Sequence, residues 1–203
     1  MIKKVIFDID DTLFNTSIDA KLAYEKFLEN FDFDVTYEEL YDKFEELNDV
    51  EDSSFEFFYN FLKDYLGDKL DLSVFKKFVS IYSSEVSLVS EHTHEVLSYL
   101  SSKYELITLS NWYYDLQYNK FLITDTKKYF KNLYTVDTFG KKPFVDTFKR
   151  ACYPYDYSEC VMIGDSLFSD IQVAKELGMK TIYLGLDKEQ TCIKDIKELM
   201  DIL

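Results

Sequence analysis

The chain has 203 residues, 47% hydrophobic and 18% aromatic, with only five glycines and two prolines. That composition excludes general disorder and allows one sizeable core with a smaller attached module. A formal net charge of −15 with 23 basic side chains excludes a nucleic-acid backbone as partner, which demands clustered Lys and Arg.

The amino terminus pairs Lys3 and Lys4 with an apolar run, but Asp8 and Asp10 break that run, so it does not read as a signal peptide. No stretch approaches the ~18 apolar residues of a membrane span. The three cysteines (Cys152, Cys160, Cys192) lack metal-ligand spacing and read as reduced thiols. The chain is therefore expected to be cytoplasmic, without a membrane partner.

The first element is Val5-Ile6-Phe7, a buried parallel strand that stops at Asp8-Ile9-Asp10-Asp11-Thr12-Leu13. If extended geometry persists, Asp8 and Asp10 point the same way. Carboxylates at a strand end are costly to bury bare, so a metal ion or a shared proton is implied. A solvated acidic turn is the bland alternative. A calcium loop fails, because Leu13 occupies its glycine position and Asp19 its glutamate position.

Residues 15–88 hold 18 acidic and 7 basic side chains, against 20 and 16 in the rest of the chain. Thr36 with Glu39, and Ser53 with Glu56, have the spacing of capping boxes. Phe55, Phe58, Leu62, Tyr65 and Leu66 recur at helical intervals before Gly67. The segment predicts three or four helices whose aromatic stripe is a bundle core. Beyond it, strands are predicted at 105–109, 133–136, 161–163 and 181–184, and helices at 95–102, 115–129, 143–153 and 169–177. That alternation indicates an α/β fold with a doubly wound parallel sheet, whose ligands bind beyond the strand carboxyl ends. Asp8, Asp10, Ser110 and Asp165 all fall there. Gly164 turns the chain tightly to deliver Asp165, whereas Asp170 suits either a helix start or a function. Asp8 and Asp165, with the Asp10 carbonyl, offer hard oxygen ligands that suit Mg²⁺. Lys142 could bring a positive charge to this cluster, although its spacing alone suggests a solvated lysine before Pro143. His92 and His94 read as surface histidines, and Trp112 reads equally as lining the site mouth or packing on the sheet edge.

Taken together, Asp8-Ile9-Asp10-Asp11-Thr12-Leu13, Leu109-Ser110-Asn111, Lys142-Pro143 with Phe148, and Gly164-Asp165-Ser166 through Asp170-Ile171, Ala174 and Gly178-Met179 resemble the four ordered motifs of the haloacid dehalogenase (HAD) superfamily. Asp11 departs from a frequent glycine, and Phe144-Val145 departs from a frequent Asp-Pro. The resemblance implies a Rossmann-like HAD core over 1–14 and 89–203, with residues 15–88 as a helical cap. It implies a nucleophile in Asp8, a general acid/base in Asp10, and a Lys142 that bridges phosphate and Asp8. Phosphate binding falls to Ser110, Asn111, Asp11 and Thr12, metal binding to Asp8, Asp10 and Asp165, and supporting roles to Asp170 and Ser166.

Asp10 favours a phosphate ester over a haloacid, because halide leaves without a proton. The expected activity is Mg²⁺-dependent hydrolysis of a small phosphorylated metabolite by a monomer or weak homodimer. A sugar phosphomutase and a non-catalytic binding protein are the alternatives. Arg150 is the one arginine of the chain and lies outside 15–88, which disfavours substrates with a second anion. A nucleoside monophosphate or neutral sugar phosphate is preferred to phosphoglycolate.

Overall fold

A computed structural model describes residues 1–49 and 54–203. Among them, β1 (Lys4–Phe7), β2 (Glu105–Leu109), β3 (Asn132–Tyr134), β4 (Cys160–Gly164), β5 (Lys180–Leu184) and β6 (Cys192–Ile193) form one parallel sheet. The order is β3-β2-β1-β4-β5-β6, so winding reverses at β1. Phe7 lies opposite both Thr108 of β2 and Ile163 of β4, which sets Asp8 between Ser110 and Asp165 at the carboxyl rim. β1 is buried throughout because both faces are covered. Val5 and Phe7 pack with Leu97, Leu100 and Val161 on one face, while Ile6 packs with Phe148 and Met162 on the other.

Between β1 and β2 the chain forms α1 (Thr16–Asn30), α2 (Tyr37–Glu45), α3 (Phe55–Leu66) and α4 (Leu72–Ser84). The capping box at α2 is present, with Glu39 N–H donating to Thr36 Oγ1 at 3.2 Å and Thr36 N–H donating to Glu39 Oε2 at 2.8 Å. The box expected at Ser53 lies outside the described residues; Ser54 caps α3 by accepting from Phe57 N–H at 3.1 Å. The aromatic stripe is core, as expected: Phe58 and Leu62 are buried with Phe44, Phe75 and Phe78, and the cluster extends to Tyr113, Leu116 and Val136. The two connections into these helices lie side by side. Phe14 and Leu88 form an antiparallel bridge, and Asn15 N–H donates to Ser87 C=O at 3.0 Å.

The remaining helices are α5 (Thr93–Ser101), α6 (Tyr114–Ile123), α7 (Val145–Cys152), α8 (Val173–Glu176) and α9 (Leu199–Ile202). α6 ends six residues before the expected position 129, because Asp125 takes a left-handed φ of 53° that a helix cannot pass through. The helix expected from 169 opens as a wide π-turn, Leu167–Gln172, before α8 begins. The two-residue β6 carries no periodic signal and was not predicted. Among the described residues no helix is long and apolar enough to cross a membrane.

Candidate active site

The rim of β1 and β4 brings Asp8, Lys142, Asp165 and Asp170 together. Lys142 is no solvated lysine: it is buried, with Nζ 2.5 Å from Asp8 Oδ1 and 2.5 Å from Asp170 Oδ1. Asp170 is also fully buried and accepts the Ser166 N–H at 3.1 Å, which resolves its ambiguity in favour of the cluster. Gly164 makes this approach possible, since a Cβ there would lie 2.2 Å from Asp170 Oδ2. Ser166 caps the following turn by accepting Ser169 N–H at 3.1 Å.

The charges in this group do not balance. Burial pushes the Asp8 carboxyl well above the usual range; Lys142 opposes this, while Asp170, Asp10 and Asp165 add to it. Burial, then Asp170 and Asp11, pushes Asp165 up to about 6. Burial works against the Lys142 ammonium, but Asp170 and Asp8 outweigh it and raise the pKa above the lysine norm. Carboxylate oxygens of Asp8, Asp165 and Asp170 lie within 4.8 Å of one another. One ammonium among three buried or half-buried carboxylates leaves an excess of negative charge on hard oxygen donors. That donor set fits a hard divalent cation.

Asp10 stands apart from the cluster. β1 ends at Phe7, and Asp10 takes its side-chain partners from α1, the end of β2 and α6. Asp10 Oδ1 accepts from Thr16 Oγ1 at 2.8 Å and lies 3.7 Å from Lys120 Nζ. Its Oδ2 accepts from Gln117 Nε2 at 2.6 Å and Ser110 Oγ at 3.2 Å. Asp170, not the Asp10 side chain, completes the carboxylate triad. Gln117 and Lys120 were not anticipated from sequence. Burial pulls the Lys120 ammonium down against the opposing charges of Asp10, Asp19 and Asp11.

The other expected phosphate-binding residues present backbone more than side chain. Asp11 has φ of 52°, tolerated because its carboxylate accepts locally from Ser17 N–H at 2.9 Å and from the Ser17 hydroxyl. That conformation is one that glycine would adopt without strain. Thr12 is buried and donates to Asp165 Oδ1 at 3.2 Å. Asn111 spends both ends of its amide on Lys142, donating to its carbonyl at 2.9 Å and accepting its N–H at 2.7 Å.

Beside Asp10 opens a cavity of about 270 Å³, walled by Thr16, Tyr24, Tyr41, Phe44, Tyr82 and Trp112. Trp112 lines this cavity, as one of its alternatives has it, and packs not on the sheet edge but on Phe44, Phe58 and Tyr82 of the helices and on Tyr113. His92 is ringed by Glu91, Glu95 and Lys197, and His94 faces the Tyr129 hydroxyl at 3.2 Å. Neither joins a metal-ligating cluster among the described residues.

A doubly wound parallel sheet carrying these motifs at its switch point is the arrangement of a haloacid dehalogenase-like hydrolase. The model of that family matches residues 5–184, and the chain belongs to it. It is 31% identical to a glyceraldehyde 3-phosphate phosphatase of Pyrococcus furiosus, covering 98% of this chain and 88% of that protein. A glyceraldehyde 3-phosphate phosphatase of Pyrococcus abyssi is 32% identical over 93% of this chain and 83% of its own length. Among solved structures, the magnesium-bound HAD-hydrolase YfnB of Bacillus subtilis superposes with a TM-score of 0.76 at 21% identity, covering 100% of this chain and 98% of that one. The protein is thus an enzyme of the HAD hydrolase class with phosphatase relatives.

Proposed function

We propose that the protein is a magnesium-dependent phosphomonoesterase of small metabolites that works through an aspartyl-phosphate. The Lys142 bridge between buried Asp8 and Asp170, with Asp10 held separately on the cavity side, is the observation that carries this reading. Asp8 attacks phosphorus while the bond to the leaving oxygen breaks and Asp10 delivers a proton to that oxygen, releasing the alcohol. Asp10 then takes a proton from water as it attacks phosphorus, the bond to Asp8 breaks, and inorganic phosphate leaves. Lys142 neutralises Asp8 and the phosphoryl oxygens. Ser110 and the backbone N–H groups of Asp11, Thr12 and Asn111 hold those oxygens; the Asp11 and Thr12 N–H groups donate to no protein acceptor among the described residues. Asp8, Asp165 and the Asp10 carbonyl would hold Mg²⁺, which supplies charge neutralisation for the transferring group. Asp170 holds Lys142 and would stand beside that ion, and residues 15–88 act as the cap.

The substrate class follows from the cavity and the relatives. Its walls are aromatic rings, hydroxyls and the Asp10 and Asp11 carboxylates, with no lysine or arginine among the described lining. That surface suits a neutral leaving group, such as the triose of the archaeal relatives' substrate or a nucleoside, and rejects a second anion. Phosphate release from glyceraldehyde 3-phosphate, nucleoside monophosphates, phosphoglycolate and p-nitrophenyl phosphate tests the reading. Activity is expected to vanish with chelator, return with Mg²⁺, and fall more than about 10³-fold in Asp8→Asn. Equal release by wild type and Asp8→Asn would sink the catalytic assignment, and phosphoglycolate as the preferred substrate would sink the leaving-group assignment.

A further inference from the structure

Gln117 is fully buried on α6, and its Nε2 reaches Asp10 Oδ2 at 2.6 Å while its own Oε1 has no partner among the described residues. A buried amide with an unpaired carbonyl is an expensive choice for packing alone, which leucine or methionine would serve without loss. With Asp10 ionised, reversing the amide would set oxygen against oxygen, so in that state the donor faces the carboxylate. Lys120, one turn further on the same helix face, lies 3.7 Å from Asp10 Oδ1, and its Nζ is 4.7 Å from the Tyr82 ring centroid. The remaining side-chain partners of the Asp10 carboxyl among the described residues are two hydroxyls, Thr16 and Ser110, whose protons can rotate away. Gln117 is the planar, directional contact. It also donates to Ser110 Oγ at 3.2 Å, linking Asp10 to the end of β2.

We propose that Gln117, backed by Lys120, is a positioning residue that aims the Asp10 carboxyl at the oxygen of the leaving alcohol. The proposal rests on Asp10 being the group that protonates this oxygen. An alkoxide needs that proton as the P–O bond breaks, whereas p-nitrophenolate departs readily without it. A misaimed Asp10 therefore penalises alkyl esters selectively, and kcat/KM isolates the step because it extends only to release of the first product.

The experiment compares kcat/KM for glyceraldehyde 3-phosphate and p-nitrophenyl phosphate in wild type, Asp10→Asn, Gln117→Met, the Asp10→Asn/Gln117→Met double variant, Lys120→Gln and Lys120→Arg. Gln117→Met is expected to lower the alkyl-to-aryl ratio of kcat/KM at least about tenfold, and Asp10→Asn about 10²-fold or more. In the double variant the ratio should stay at the Asp10→Asn value, since Gln117 acts only through Asp10. Lys120→Gln should give a smaller drop that Lys120→Arg restores. An unchanged ratio in Gln117→Met, or an additive loss in the double variant, overturns the positioning role while Asp10 stands. A wild-type ratio in Asp10→Asn overturns both. If circular dichroism shows Gln117→Met unfolded, the Lys120→Gln ratio decides: a drop upholds the proposal, and no drop defeats it.

Discussion

The floor of the cleft, at the carboxyl ends of β1 and β4, holds charged groups that are buried and mutually paired. The wall contributed by α1, α2 and α4 instead presents rings and hydroxyls. On the floor each charge is a condition for its neighbours, so no member can be removed alone. On the wall the contacts are mostly apolar and carry no charge balance, so an exposed member such as Tyr41 can change with local consequences. On the proposed function, the bond-breaking apparatus and the choice of leaving group can therefore vary independently.

The largest effect expected from this contrast is on the floor. Lys142→Met leaves Asp8 and Asp170 buried without their cation and should cost about 3–5 kcal/mol of stability, besides activity. Urea unfolding measures the loss, part of which added Mg²⁺ should restore; an unchanged midpoint would mean that this ammonium does not balance the carboxylates. Gly164→Ala should cost about 1–3 kcal/mol by forcing Asp170 aside. The same unfolding experiment and a loss of phosphate release would register it, and wild-type behaviour would deny the close packing. On the wall, Tyr41→Ala removes a ring that is 38% exposed. KM should rise about tenfold, equivalent to ~1.4 kcal/mol, with kcat and stability unchanged. A collapse of kcat would erase the division between floor and wall. The smallest effect is remote from both: Thr36→Ala removes the α2 cap and should lower stability by about 1 kcal/mol while leaving kcat/KM intact.

The floor was far more legible in the sequence than the wall. Asp8, Ser110 and Asp165 each follow an apolar run that ends abruptly, and a parallel sheet places such ends side by side. Lys142 was legible only through its motif, because a lysine before Pro143 looks solvated until Asp170 is seen to be buried. The partners of Asp10 were hidden, because Thr16, Ser110, Gln117 and Lys120 meet only through the fold. Gln117 and Lys120 belong to no motif and drew no reading from the sequence. Yet they share a stripe with Leu116 and Phe121, and two polar residues on an apolar stripe are the signal that points inward. The cavity wall could not be assembled from sequence, since its members come from three separate helices and the loop at Trp112.

The two-point clasp between Asn111 and the main chain of Lys142 fastens the loop after β2 to the loop before α7. Both loops are thereby tied together without help from any helix of the insert. The ammonium is therefore already seated before a phosphate ester arrives, and whatever α1–α4 do on binding, this part of the cradle need not be rebuilt at each turnover.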